Sequence, residues 1–138
     1  MLKVRISSFS YKRSGIPKDD TPHGGGFVFD CRFIYDPDGK FEYMHLTGRD
    51  EKVIDFLDKL PDMQMFLKAV YEIVDRAAEN FIAREFTDVM VSFGCKGGKH
   101  RSVYAAEHLN EHLQKKFEEK ITTFLTHIDM PKGTWSER

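Results

Sequence analysis

The segment GCKGGKHRSV at 94–103 gathers the residue types that could hold, or attack, an oxyanion. Lys96, Lys99, His100 and Arg101 supply cationic donors, and Ser102 a hydroxyl. Gly97 and Gly98 let backbone amides come close to a ligand, and Cys95 brings a nucleophilic sulfur. The preceding TDVMVSF reads as a buried strand, and the residues after the loop repeat apolar side chains at helical spacing. Strand, glycine loop and helix together make an anion site. The amides of the first helical turn have no intrahelical partner, and the helix dipole adds about half a positive charge there. The plainer reading is a surface turn with solvated cations. It leaves the agreement of strand, glycines, cations and helix start unexplained.

The spacing narrows the chemistry. Lys99 and His100 follow Gly98, where a Walker A loop needs Lys and then Ser or Thr, and no GxGxxG is present. Residues 95–102 do fit C-x-x-G-x-x-R-S, which is similar to the phosphate loop of protein tyrosine phosphatases. A cysteine facing amides and an arginine becomes partly thiolate, and arginine offers phosphate two parallel donors. Such a thiolate could attack a bound phosphoryl group. Gly94 stands where those enzymes carry His, and a general acid would have to come from elsewhere. Asp30, Asp36, Asp38 and Asp50 are candidates among which the sequence does not choose. Cys95 can equally be a small buried residue at a strand end.

The elements that must position this loop follow from periodicity. LKVRISSFS at 2–10 alternates as an edge or near-edge strand, with Phe9 after a slip in the alternation. Residues 12–26 form a long loop with two prolines and four glycines, a candidate binding loop or lid. FVFDCRFI at 27–34 predicts a strand with Phe27, Phe29, Cys31 and Phe33 on one face and Val28, Asp30, Arg32 and Ile34 on the other. Asp30 and Arg32 then point the same way, either as an ion pair or as ligand-orienting groups. DPDG at 36–39 predicts a turn, and Asp50 a helix N-cap before EKVIDFLDKL. A second helix runs from Pro61 to about Glu85, with Phe66, Val70, Ile73, Val74, Ala77 and Phe81 inward and Met63 and Met65 as core filler or interface. The helix after the loop buries Val103, Ala106, Leu109, Leu113 and Phe117, and ITTFLTHI at 121–128 is a last strand. His108, Glu111 and His112 match H-x-x-E-H, but a catalytic zinc needs a third protein ligand, so solvent-exposed histidines are expected and no metal or cofactor. The expected fold is α/β, one domain over 1–138, with a mainly parallel sheet of about four strands and three helices, and a disordered tail at 129–138. Ligands bind such sheets at the carboxyl ends of the strands.

Composition agrees with a globular domain: 41% hydrophobic and 31% charged residues in 138, enough for a core. With 21 basic and 22 acidic residues, affinity for nucleic acid would have to come from a local patch. No apolar run is long enough to span a membrane, and no export signal is evident. Two cysteines without framework spacing suggest free thiols and a cytoplasmic location.

FDCRF at 29–33, LTGRD at 46–50 and GCKGGKHRSV at 94–103, with SSFSYKRSGIP at 7–17, occur in an order and at separations that resemble the C-terminal domain of the RapZ/YvcJ family of RNase adapter proteins. The resemblance runs from about Ser7 to about Leu125. It implies a non-catalytic domain that binds a phosphorylated metabolite, the amino-sugar phosphate glucosamine-6-phosphate, associates with itself as a homo-oligomer, and acts on an RNA or protein partner. It implies ligand contacts at Asp30, Arg32, Cys95, Gly97, Gly98, His100 and Arg101, to which the loop itself adds Lys96, Lys99 and Ser102. This chain has Lys96 where the family usually has Thr, Asp38 where it has His, and no basic tail. The P-loop NTPase domain of full-length members has no counterpart in these residues, so ATP hydrolysis is not implied. The alternatives are a cysteine-dependent phosphatase, with Cys95 as nucleophile and Arg101 as phosphate clamp, and an RNA-binding module.

Overall fold

A computed structural model describes residues 1–36 and 41–130. Four strands, β1 (Leu2–Ser10), β2 (Phe27–Asp30), β3 (Asp88–Cys95) and β4 (Ile121–His127), form one fully parallel sheet in the order β2-β3-β1-β4. Helices α1 (Glu51–Asp58) and α2 (Pro61–Ala83) connect β2 to β3, and α3 (Arg101–Phe117) connects β3 to β4. Both crossovers run in the same direction along the sheet. Right-handed connections therefore place all three helices on one face.

The core records this two-layer arrangement. Leu2, Val4 and Ile6 of β1 and Val91 and Phe93 of β3 pack with Val53, Leu57, Met63, Leu67, Val70, Leu109 and Leu113 of the helices. The other face keeps Lys3 exposed and Arg5 half-buried, and leaves Phe124 of β4 50% exposed. Pro61 at the first turn of α2 fits because its missing N–H has no intrahelical acceptor there. The buried stripe of α2 is Met63, Leu67, Val70, Val74 and Ala78. It is rotated from the one expected, so that Ile73 is 49% exposed and Met65 faces solvent. α2 stops at Ala83, and Glu85 takes a left-handed turn at φ 60.

Two strand expectations need correction. β1 shows no slip: it pairs continuously from Leu2 to Ser8 with β4 and from Lys3 to Ser10 with β3. Its inward face continues Leu2, Val4, Ile6, Ser8, Ser10, and Phe9 is buried on the opposite face against Gly94. β2 ends at Asp30 rather than continuing to Ile34. The Cys31 amide still donates to the Gly94 carbonyl at 2.8 Å, and then the chain turns, with the Ile34 amide donating to Cys31 O. The DPDG turn falls largely outside the described residues, as do Asp38 and the tail beyond Met130. Among the described residues no helix is long and apolar enough to cross a membrane.

Candidate anion-binding site

β3 delivers Cys95 to the carboxyl edge of the sheet, and α3 begins at Arg101. The five residues between them form the glycine loop. Gly98 sits at φ +71, where L side chains are strained, and a Cβ there would also meet the Asp129 Cβ at 2.9 Å. Gly97 faces open space. The turn folds back on the sulfur: the Gly98 amide donates to Cys95 Sγ at 3.2 Å, and Ser102 Oγ lies 3.1 Å from it. Cys95 is 2% exposed. His100, the residue before α3, makes no side-chain cap. Its Nε2–H instead donates to the Leu46 carbonyl at 2.6 Å, which ties the loop to the LTGRD segment.

Arg101 is buried, and its guanidinium reaches under the 31–36 turn. Nη1 donates to the carbonyls of Ile34 at 2.8 Å, Arg32 at 3.0 Å and Cys31 at 3.4 Å, and Nη2 lies 3.3 Å from Asp36 Oδ2. This explains the short β2, because carbonyls that would continue a ladder curl round a cation instead. Asp36 also places Oδ1 3.6 Å from His100 Nδ1. Asp36, Cys95, Gly97, Lys99 and His100 line a cup of about 10 Å³, room for about one water molecule. The loop carries no acid of its own, and this neighbouring turn supplies one.

Asp30 and Arg32 do pair, at the rim. Arg32 Nη2 donates to Asp30 Oδ2 at 2.7 Å and Nε to Oδ1 at 2.9 Å, and both side chains are about half exposed (50% and 46%). The Arg32 hydrogen bond lowers the Asp30 carboxyl below its usual range. The same guanidinium lies 3.8 Å over the Tyr11 ring. Lys96 is exposed, and Lys99 Nζ donates to the Met44 carbonyl at 3.0 Å.

The LTGRD segment contributes more than a helix start. Asp50 occupies the N-cap position of α1 without capping it: its carboxylate accepts from the Thr47 amide at 2.6 Å and from the Thr47 hydroxyl. The Gly48 amide donates to Lys99 O at 2.7 Å, and a Cβ at Gly48 would meet His100 O at 2.5 Å. Arg49 Nε lies 3.4 Å from Glu107 of α3. Glu107 accepts from His127 Nε2–H at 2.8 Å, and His127 Nδ1 lies 2.7 Å from Ser8 Oγ. This buried chain braces α3 to β1 and β4 beneath the loop. Sequence reasoning passed over it, although Ser8 and Ser10 are polar residues on the inward parity of an apolar strand. Ser10 Oγ–H donates to the Lys96 carbonyl at 2.5 Å, and the Ser10 amide donates to Asp129 Oδ2 at 2.7 Å.

Of the ten residues singled out, eight form the contiguous loop and helix start, Asp30 ends the neighbouring β2, and Arg32 lies in the turn after it. His112 is not a solvent histidine: its Nε2–H donates to Asp75 of α2 at 2.8 Å and its ring stacks on Tyr71. His108 stacks on Tyr104. Among the described residues no cluster of His, Cys, Asp and Glu could hold a metal ion.

A family model described as the RapZ C-terminal domain matches residues 2–131. A protein of Xylella fastidiosa named nucleotide-binding protein is 40% identical over 123 residues, 89% of this chain and 40% of that relative. One from a Thermotoga species is 40% identical over 129 residues, 94% of this chain and 43% of the relative. One from Xanthomonas campestris is 37% identical over 123 residues. The chain thus spans about two-fifths of the length of the curated relatives it matches.

Proposed function

The chain belongs to the RapZ C-terminal domain family, and on that premise we propose that it is a regulatory domain that binds a phosphorylated small molecule, an amino-sugar phosphate or nucleotide-like compound, without transforming it. The observation that carries the reading is the Asp36 carboxylate beside His100 and Arg101 at the mouth of the glycine loop. Here the protein's own oxyanion stands among donors suited to a phosphoryl group. The cup beside it takes about one water. A phosphoryl group therefore enters by displacing Asp36, with the Gly97 amide, Lys99 and the start of α3 as its partners. Arg101 keeps its carbonyl contacts and contributes charge from below. Asp30, in register with Gly94, Arg32 and the Tyr11 face lie at the same strand ends and orient the body of the ligand. The relatives' name, nucleotide-binding protein, leaves a nucleotide as one ligand class to test. Displacement of Asp36 changes the 31–36 turn, a surface that an RNA or protein partner can read.

Isothermal titration with glucosamine 6-phosphate, a nucleoside monophosphate, inorganic phosphate and unphosphorylated glucosamine tests this. Saturable heat is expected from a phosphorylated compound and none from glucosamine. Absence of binding by every phosphorylated probe at millimolar concentration would contradict it. RNA binding, if it is the output, should fall steeply with salt.

One observation favours a second reading, a cysteine phosphatase: the Gly98 amide and the Ser102 hydroxyl both approach Cys95 Sγ, so the sulfur sits within the loop that would hold the phosphoryl group. Against it, the Arg101 guanidinium is engaged beneath the turn. Aryl phosphate turnover that disappears in Cys95→Ser would select the enzyme.

A further inference from the structure

We propose that Cys31 and Cys95 form a reversible disulfide that pulls the Cys95 sulfur out of the glycine loop. Asp30 pairs with Gly94, and one register step later the Cys31 amide donates to Gly94 O at 2.8 Å. The two cysteines are therefore neighbours across parallel strands. Their side chains share the inward face, as the Phe29 and Phe93 rings stacked at 5.5 Å two residues earlier confirm for the same parity. Adjacent strands lie about 4.8 Å apart, inside the roughly 4.4–6.8 Å between Cα atoms that a disulfide spans. Both thiols are free and buried, and they belong to one core cluster.

The two sulfurs differ in surroundings. Cys95 lines the cup with Asp36, Gly97, Lys99 and His100, so of the two sulfurs it is the one that hydrogen peroxide, the smallest hydroperoxide, meets first. Cys31 lies behind it. Burial, with Cys95 acting in the same direction, pushes its thiol well up, so it stays protonated. The sequence of events is defined by this asymmetry. Cys95–SH reacts with a hydroperoxide, ROOH: the O–O bond breaks, the sulfur is oxidised by two electrons to Cys95–SOH, and ROH leaves. The Cys31 thiol then attacks the sulfenic sulfur as its proton passes to the sulfenic oxygen. The S–S bond forms, the S–O bond breaks, and hydroxide departs with the Cys31 proton as water. A dithiol reductant reverses the pairing with two electrons and two protons.

The consequence falls on the candidate site, because it is the free Cys95 Sγ that accepts the Gly98 amide and meets Ser102 Oγ. The pairing itself is decided without any ligand. The protein is treated with hydrogen peroxide under native conditions, its remaining thiols are alkylated in denaturant, and the peptides are mapped by mass. A Cys31–Cys95 linked peptide, two mass units lighter than the reduced pair, is expected. It should revert with dithiothreitol and be absent from Cys31→Val, whose fold is checked by circular dichroism. The Gly98 amide resonance should shift in the linked form. Cys95 recovered as sulfinic acid beside unmodified Cys31, both thiols recovered reduced, or a link only between molecules would overturn the proposal. So would a linked pair with an unmoved Gly98 resonance. Failure of phosphate binding in the reduced protein would sink the ligand reading and leave this one standing on the peptide map and the Gly98 shift.

Discussion

At the scale of single residues, the proposed site depends on a carboxylate and a guanidinium that the sequence places but does not aim. Residue type and spacing marked Arg101 as a phosphate clamp. They carried no sign that its Nη1 would be surrounded by the carbonyls of Cys31, Arg32 and Ile34, since those partners lie about seventy positions away in the chain. Arg101→Ala should leave those buried carbonyls unpaired and lower stability by about 1–3 kcal/mol in urea denaturation. Asp36 was only one of four candidate acids on sequence grounds. Its place against His100 and Arg101 makes it, on the proposed reading, the group that a phosphoryl ligand displaces. Asp36→Asn should therefore tighten binding of the phosphorylated probe, by about tenfold or ~1.4 kcal/mol, in the same titration. Weaker binding would mean that Asp36 helps hold the ligand.

At the scale of elements, β1, β3, β4 and the three helices were legible from apolar runs and periodicity, which show within each element's own residues. β2 was not. FVFDCRFI alternates well enough to continue as a strand, and only the demand of a buried guanidinium for carbonyls ends it at Asp30. The LTGRD segment likewise read as a helix start, whereas Gly48 is what allows it to lie against the loop. Gly48→Ala would push a Cβ into His100 O and Tyr104 N at 2.5 and 2.6 Å. It should loosen the loop, seen as faster amide exchange at 97–103, while α2 exchange is unchanged. The 12–26 loop, a candidate lid by length, is organised by Asp19, which accepts from the Thr21 amide and hydroxyl, the Gly25 amide and Arg5. These bonds, led by that of the Thr21 amide, hold its carboxyl down at about 2. The sign follows: the carboxylate's contribution is complete above its ordinary value near ~4 and is lost as pH falls through about 2. Acid-tolerant protease digestion should find the loop intact at pH 4 and cut more readily near pH 2. In Asp19→Asn it should be cut readily at pH 4 as well.

At the scale of the whole molecule, the three helices cover one face of the sheet, the 12–26 loop lies against Arg5 on the other, and every strand's carboxyl end points to the same edge. The glycine loop, the 31–36 turn, the end of β1 and Asp129 meet there because a parallel sheet allows nothing else. A ligand that binds at that edge only when the chain is folded must raise the melting temperature, and 100-fold excess over its dissociation constant should add about 2.7 kcal/mol. The most direct measurement is an amide NMR titration with glucosamine 6-phosphate, followed beside the same titration with glucosamine. Saturable shifts confined to residues 94–103 and the 30–36 turn, present only with the phosphorylated sugar, are what the account predicts. Shifts that leave 94–103 untouched while moving residues elsewhere would contradict it.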